Sequence, residues 1–175
     1  YPNYGRIGKK NNKTRQNALD TISTHKTKIV TLFDSFNEKA KELHREDMEN
    51  IEKWSTEVNT FQLYFNSYKE AVMQWERDLR HIIDEYRDNN IQFRQTAKPS
   101  YFDKPFEFNE KFKDASYMFS SMKNAFMEDQ ERQKVKNDMV TLIQNHYNTC
   151  SETLDQLKSD VENNTNDFAR LFRLN

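Results

Sequence analysis

The chain has 175 residues, of which 31% are charged and 13% aromatic, and its formal net charge is −1. That length suits one domain or one long helical unit, and the aromatic content excludes a disordered polyelectrolyte. A charge balance this close to zero gives the chain as a whole no reason to seek nucleic acid or a membrane surface.

Residues 1–14 read as a basic arm. They hold both glycines, Gly5 and Gly8, and four cations, Arg6, Lys9, Lys10 and Lys13, with no apolar period. Ordering such a segment costs backbone entropy with little apolar burial to offset it, so the expectation is a mobile arm that folding does not need. Over residues 1–28, Arg6, Lys9, Lys10, Lys13, Arg15, Lys26 and Lys28 face Asp20 alone. Over residues 151–168, Glu152, Asp155, Asp160, Glu162 and Asp167 face only Lys158. Such runs are ordinarily solvated faces. The sharper alternative is an arm that docks on an anionic partner or on the chain's own acidic end.

A first helix is expected over about 15–46, with the stripe Leu19, Ile22, Lys26, Ile29, Phe33, Phe36, Ala40 and Leu43 in steps of three and four. The next stripe starts at Ile51, out of phase, beyond the polar run KELHREDMENIEK. A break near residue 47 is favoured over a stutter in one helix.

The second helix is expected over about 47–95. Its stripe is Ile51, Trp54, Val58, Phe61, Phe65, Tyr68, Val72, Trp75, Leu79, Ile82 and Tyr86. Tyr64, Ala71 and Ile83 widen it, which suits a helix touching two or more neighbours. Aromatic stops argue against a two-stranded coiled-coil seam. A proline-bounded loop, KPSYFDKP, is expected over about 96–105, because proline cannot continue a helix interior.

A third helix is expected over about 106–146, with Phe108, Phe112, Ala115, Phe119, Met122 and Phe126, then a polar stretch over 128–134. The stripe resumes at Met139, Ile143, Tyr147, Cys150, Leu154, Leu157, Val161, Asn164, Phe168 and Leu171. Asn145 and Asn148, with Thr149 and Glu152 spaced as a capping box, place a fourth helix at about 149–173. The apolar phase nevertheless runs straight through that point. The fold class that follows is all-α: an elongated bundle of three to four long amphipathic helices with an aromatic core, forming a single domain over 15–175. Four stripes in one chain can bury one another, so none needs a partner or a membrane.

Nothing matches a nucleotide loop, a zinc ligand set or a nucleophile elbow. No run of about 18 apolar residues exists, so no segment reads as a spanning helix. His81 with Asp84 and Glu85, and His44 beside Glu42, Glu46 and Asp47, read as solvated histidines among charges. Cys150 and His146 stand four apart, which a helix brings together. The chemical reading is an activated thiol; the plainer one, a small buried hydrophobe on the apolar stripe, is preferred. No catalytic residue, metal ion or cofactor is therefore expected, and a single cysteine rules out an intrachain disulfide.

The segment SYFDKPFEF must either plug the bundle or present its rings. Tyr101, Phe102 and Phe106 are accordingly candidates for partner binding, together with the basic residues of the arm. The chain starts at Tyr1 rather than Met, which fits a trimmed chain or a processed secretory protein. Asn12 and Asn163 head N-x-[ST] triplets and are candidate glycosylation sites. The expected function is that of a non-enzymatic helical binding or effector protein, secreted, monomeric or homodimeric, acting on a partner protein or receptor. The alternatives are an intracellular coiled-coil or BAR-like scaffold at membranes, and a small-ligand carrier with a pocket inside the bundle.

Overall fold

The long stripes become long helices. The computed structural model describes residues 4–98, 101–112 and 115–164, and within them it is all-α. The helices are α1 (Tyr4–Glu42), α2 (Ile51–Asn89), α3 (Ile91–Thr96), α4 (Asp103–Lys111), α5 (Ala115–Met122) and α6 (Asp129–Asn163), with a 3-10 turn over Arg45–Glu49.

Several boundaries differ from those expected. Backbone from Tyr4 onward is helical, so most of the basic arm belongs to α1. Helix propagation costs little once a turn is nucleated, and the Lys and Arg of this stretch are good helix formers. Leu43 is buried beyond the end of α1, and the 3-10 turn buries Met48. Asn50 then starts α2 by accepting the Lys53 amide on its side chain at 3.3 Å. Asn90 does the same between α2 and α3, accepting the Phe93 amide at 2.9 Å. The expected central loop is partly helix: Pro105 stands in the first turn of α4, where a missing N–H costs nothing.

The break expected at 147–150 is absent. Thr149 bonds back to the Asn145 carbonyl at 3.0 Å inside α6 instead of capping a new helix. The interruption falls earlier, at residues 123–128 between α5 and α6.

The chain divides into two compact units, and each long helix contributes to both. The first unit takes the described parts of residues 1–27, 74–102 and 151–175. Its core holds Ala18 and Ile22 of α1, Trp75, Leu79, Ile83 and Tyr86 of α2, Phe93, and Leu154, Leu157 and Val161 of α6. Polar ties cross between its helices. His25 lies 3.1 Å from Asp78, Lys26 lies 2.5 Å from Asp155, and Arg15 donates to the Glu162 carbonyl at 3.1 Å. His25, and not Lys26, takes the inward stop on α1, since the steps run Ala18, Ile22, His25, Ile29. Asn164 donates to the Tyr86 hydroxyl at 2.6 Å.

The second unit takes residues 28–73 and the described parts of 103–150. Its core is strongly aromatic. Phe36 stacks on Phe61 with ring centroids 4.8 Å apart, and Phe119 meets both Phe61 at 5.7 Å and Phe65 at 5.3 Å. Phe33 stacks on Tyr147 at 3.9 Å, so Tyr147 flanks the core while His146 occupies its centre. Trp54 is fully buried and donates its indole N–H to the Met122 carbonyl at 2.7 Å, satisfying a group at the end of α5.

The two buried tryptophans therefore differ. Trp54 has a hydrogen-bond partner, whereas the indole N–H of Trp75 has none among the described residues. Trp54→Ala should destabilise by about 3–5 kcal/mol. Trp54→Phe should cost a further ~1–3 kcal/mol beyond its packing loss, because it strands a buried carbonyl, while Trp75→Phe should not. Urea denaturation of the three variants checks this. An equal response of the two Trp→Phe variants would contradict the assigned hydrogen bond.

Candidate functional site

Sequence pattern nominated two sets of residues for partner binding. Arg6, Lys9 and Lys10 lie on α1, but their side chains fall outside the described residues, as does that of Phe106 on α4. Lys13 is exposed on α1. Tyr101 is buried at 6% exposure, with its hydroxyl donated to the Asp160 carboxylate. Burial and that carboxylate push the phenol up to about 12. Phe102 is half-buried, its ring 5.7 Å from Trp75 and under the Arg80 guanidinium at 5.5 Å. Tyr101 and Phe102 thus pack within the first unit, Phe102 with part of its ring left exposed. Asn12 and Asn163 are both exposed.

The Cys150–His146 pair is brought together, and a third member joins it. The Tyr68 hydroxyl lies 2.7 Å from His146 Nδ1, and Cys150 Sγ lies 3.5 Å from Nε2. All three side chains are fully buried, and the imidazole packs edge-on to Tyr68 and Phe112. Burial drives His146 down to about 3 and raises the Tyr68 phenol well above its usual range. The imidazole is therefore neutral and the phenol keeps its proton. With Tyr68 donating to Nδ1, the ring proton sits on Nε2, while the sulfur lies nearly equidistant from the two ring nitrogens, 3.7 Å from Nδ1 and 3.5 Å from Nε2. Nucleophilic chemistry uses a thiolate beside an imidazolium, and burial disfavours both charges. The arrangement is a buried, neutral polar cluster.

A second titratable group lies at the α1–α2 turn. Burial, and then a hydrogen bond shared with Asp47, pushes the Glu57 carboxyl above the usual range. The Lys53 ammonium, 3.0 Å away, holds Asp47 below it. Glu57 lines a cavity of about 250 Å³ with Lys39, Glu42, Leu43, Thr56 and Thr60. Lys39 is already paired to Glu42 at 2.8 Å across it. His44 and His81 are exposed. Among the described residues no group of three or more His, Cys, Asp or Glu is placed to hold a metal ion.

The residue that stands out to solvent is Phe126. Spacing put it on the α5 stripe, four after Met122, yet it is 100% exposed. The helix ends at Met122, so the phase does not carry over. The turn that follows is tied down at nearly every step. Lys123 and Asn124 amides bond to Ser120 and Ser121 carbonyls at 3.2 and 3.1 Å, and the Met127 amide to the Asn124 carbonyl at 3.2 Å. The Asn124 side chain accepts the Phe126 amide at 2.9 Å. Arg132 reaches up from α6, only 5% exposed, and donates to the carbonyls of Asn124 at 2.9 Å and Met127 at 3.0 Å and to the Asp129 carboxylate. Lys123 extends sideways to Asn59 on α2 at 2.9 Å. The result is a densely hydrogen-bonded turn from which one phenyl ring projects into water.

A signal for this was present in the sequence. Acidic residues at 128, 129 and 131 mark a helix start, which places Phe126 between two helices and not on either.

Compared with protein-family models, with curated proteins and with solved structures, the chain matches none.

The neutral state of His146 has a pH consequence. Its folded value, about 3, lies below the ordinary 6.5, so between those limits the unfolded chain takes up a proton that the folded chain does not. Stability is full above that window and is lost as pH falls through it, by up to about 1.4 kcal/mol per pH unit. Urea midpoints should fall more steeply from about pH 7 to about pH 5 for the wild type than for His146→Asn, which cannot ionise. Parallel slopes would show that His146 is accessible to protons in the folded state.

Proposed function

We propose that this chain is a non-enzymatic helical binding protein, secreted, that acts by presenting a rigid surface feature to a partner protein or receptor. The observation that carries the reading is Phe126, fully exposed on a turn whose polar groups are bonded internally. Leaving such a ring in water forgoes roughly 1.5–3 kcal/mol of burial. Aromatic residues, Phe among them, are enriched at protein interfaces relative to the rest of the surface. The turn is already ordered, so binding through it loses little conformational entropy.

Two supporting features bear on the rest of the proposal. The long helices bury apolar stripes within each unit, and among the described residues no helix is long and apolar enough to cross a membrane. Both candidate glycosylation acceptors, Asn12 and Asn163, are exposed.

Phe126→Ala should leave stability within about 0.5 kcal/mol of wild type, as at other exposed sites. The same variant should lose the partner. Parallel capture from extracellular fluid and from cell lysate, with wild-type and Phe126→Ala chains as baits, reads this as a protein held by the first and not by the second. Identical captures by the two baits would remove Phe126 from the reading. Intact mass of the chain made in a eukaryotic secretory host tests the compartment: a glycan at Asn12 or Asn163 is expected, and an unmodified mass would count against secretion.

A further inference from the structure

The turn that joins α1 to α2 brings two acids together. Asp47, on the 3-10 turn, and Glu57, on α2, share a side-chain hydrogen bond. Two carboxylates cannot form such a bond, because both only accept; one of them must carry a proton. The surroundings say which. Asp47 Oδ1 lies 3.0 Å from the Lys53 ammonium, which favours its charged form. Glu57 Oε2 is buried, and among the described residues no N–H or hydroxyl donates to it. A buried carboxylate oxygen without a donor is costly, so the proton belongs to Glu57, whose O–H donates to Asp47. The other charged groups around the pair are already engaged or face water. Lys39 of α1 is paired with Glu42 at 2.8 Å, Lys136 of α6 reaches the Leu43 carbonyl at 3.4 Å, and His44 on the turn is exposed.

We propose that the proton shared by Glu57 and Asp47 is a catch that holds the 3-10 turn against α2, and that withdrawing it loosens this turn. Without the proton the hydrogen bond is lost, and two like charges stand within its range. Glu57 lines a cavity of about 250 Å³ together with Thr56 and Thr60, so the ionised carboxylate has polar groups to turn to. Asp47 carries the rest of the turn with it. Its amide bonds to the His44 carbonyl at 3.0 Å, and its own carbonyl accepts from Asn50, which starts α2, at 3.1 Å. Met48, next in the chain, is buried and does not titrate, so the turn loosens on one side and stays anchored on the other. The direction follows from the two acids. Glu57 is raised above its ordinary 4.5, so the stability it contributes is full below that value and is lost as pH rises through the folded one. Asp47 is held below its ordinary 3.8, so its contribution is lost only on strong acidification. His146, in the same unit, loses stability as pH falls, and the catch therefore works in the opposite sense.

The test follows the side-chain carboxyl carbons and the backbone amides of the full chain by NMR from about pH 3 to about pH 8. Glu57 should titrate above 4.5 and Asp47 below 3.8. Protection of the amides against hydrogen exchange is measured over the same range and corrected for the intrinsic pH dependence of exchange. The amides of Asp47, Asn50 and Lys53 should lose protection several-fold with the midpoint at which Glu57 ionises, while those of Phe65 and Tyr68, farther along α2, keep theirs. In Glu57→Gln the amide side chain donates to Asp47 at every pH, so the loss should disappear. In His44→Gln it should remain, which separates Glu57 from the exposed imidazole nearby. Titration of Glu57 at its ordinary value would overturn the proposal. So would an undiminished loss in Glu57→Gln, or a loss shared equally by Phe65 and Tyr68, which reports the whole unit and not the turn. Should Glu57→Gln fail to fold, the wild-type chain still decides: a loss of protection whose midpoint departs from that of the Glu57 carboxyl overturns the catch.

Discussion

The contact between Tyr68 and His146 does something that no apolar pair in the second unit can do. Phenyl rings slide past one another with little penalty, and this core is built largely of them. A hydroxyl and an imidazole buried among those rings cannot slide, since each would be left without a partner at a cost of about 1–3 kcal/mol. The 2.7 Å bond therefore fixes the axial register of α2 against α6. The first unit has an equivalent device, in which the Tyr86 hydroxyl accepts from Asn164 at 2.6 Å. In both pairs a tyrosine of α2 meets a polar residue 78 positions later in the chain. Aromatic packing supplies the larger share of the burial, and these two polar pairs choose one arrangement among many that would bury similar area.

Chain reversal is solved by a related economy of side chains. The chain has two glycines, both within its first eight residues, so none is available for the turns between helices. Asparagine takes their place. Asn50 starts α2, Asn90 starts α3 and Asn124 organises the turn before α6, each by accepting a backbone amide two or three residues ahead. This is the usual helix-start chemistry, in which a short amide side chain satisfies an N–H that the helix cannot. At Asn124 it is reinforced by Arg132, whose near-complete burial is tolerated because its guanidinium finds two carbonyls and a carboxylate.

Periodicity made the helical class and most core positions legible, since steps of three and four leave few alternatives. It was least informative where two neighbouring residues could both take the inward stop. His25 prevails over Lys26, Ile83 over Ile82, and His146 over Tyr147, each time by one position, and hydrophobicity alone ranks the last of those pairs the wrong way and cannot rank the two isoleucines. The histidines prevail because a partner waits for them, Asp78 in one case and Tyr68 in the other, and such partners lie 53 and 78 residues away in sequence. Boundaries failed for a local reason: Asn145 and Thr149 look like a helix start but bond within α6, while the true start at Asp129 carries only acids. Of the candidate site, the rings of Tyr101 and Phe102 were visible as a cluster but not their burial. Phe126 was visible too, but its spacing from Met122 matched a stripe that had already ended.

The placement of the tryptophans makes the two compact units separately observable. Trp54 lies in the second unit and Trp75 in the first, and both are fully excluded from water. The chain has no third tryptophan. Each unit thus carries one native fluorophore, shielded in the folded state and red-shifted on exposure. A chain with Trp54→Phe emits from the first unit alone, and one with Trp75→Phe from the second. Comparing their unfolding curves distinguishes one cooperative transition from two without attaching any label. Because Trp54 sits against the end of α5, its emission also reports on the base of the turn that carries Phe126, so occupation of that turn by a partner has an optical readout already built into the chain.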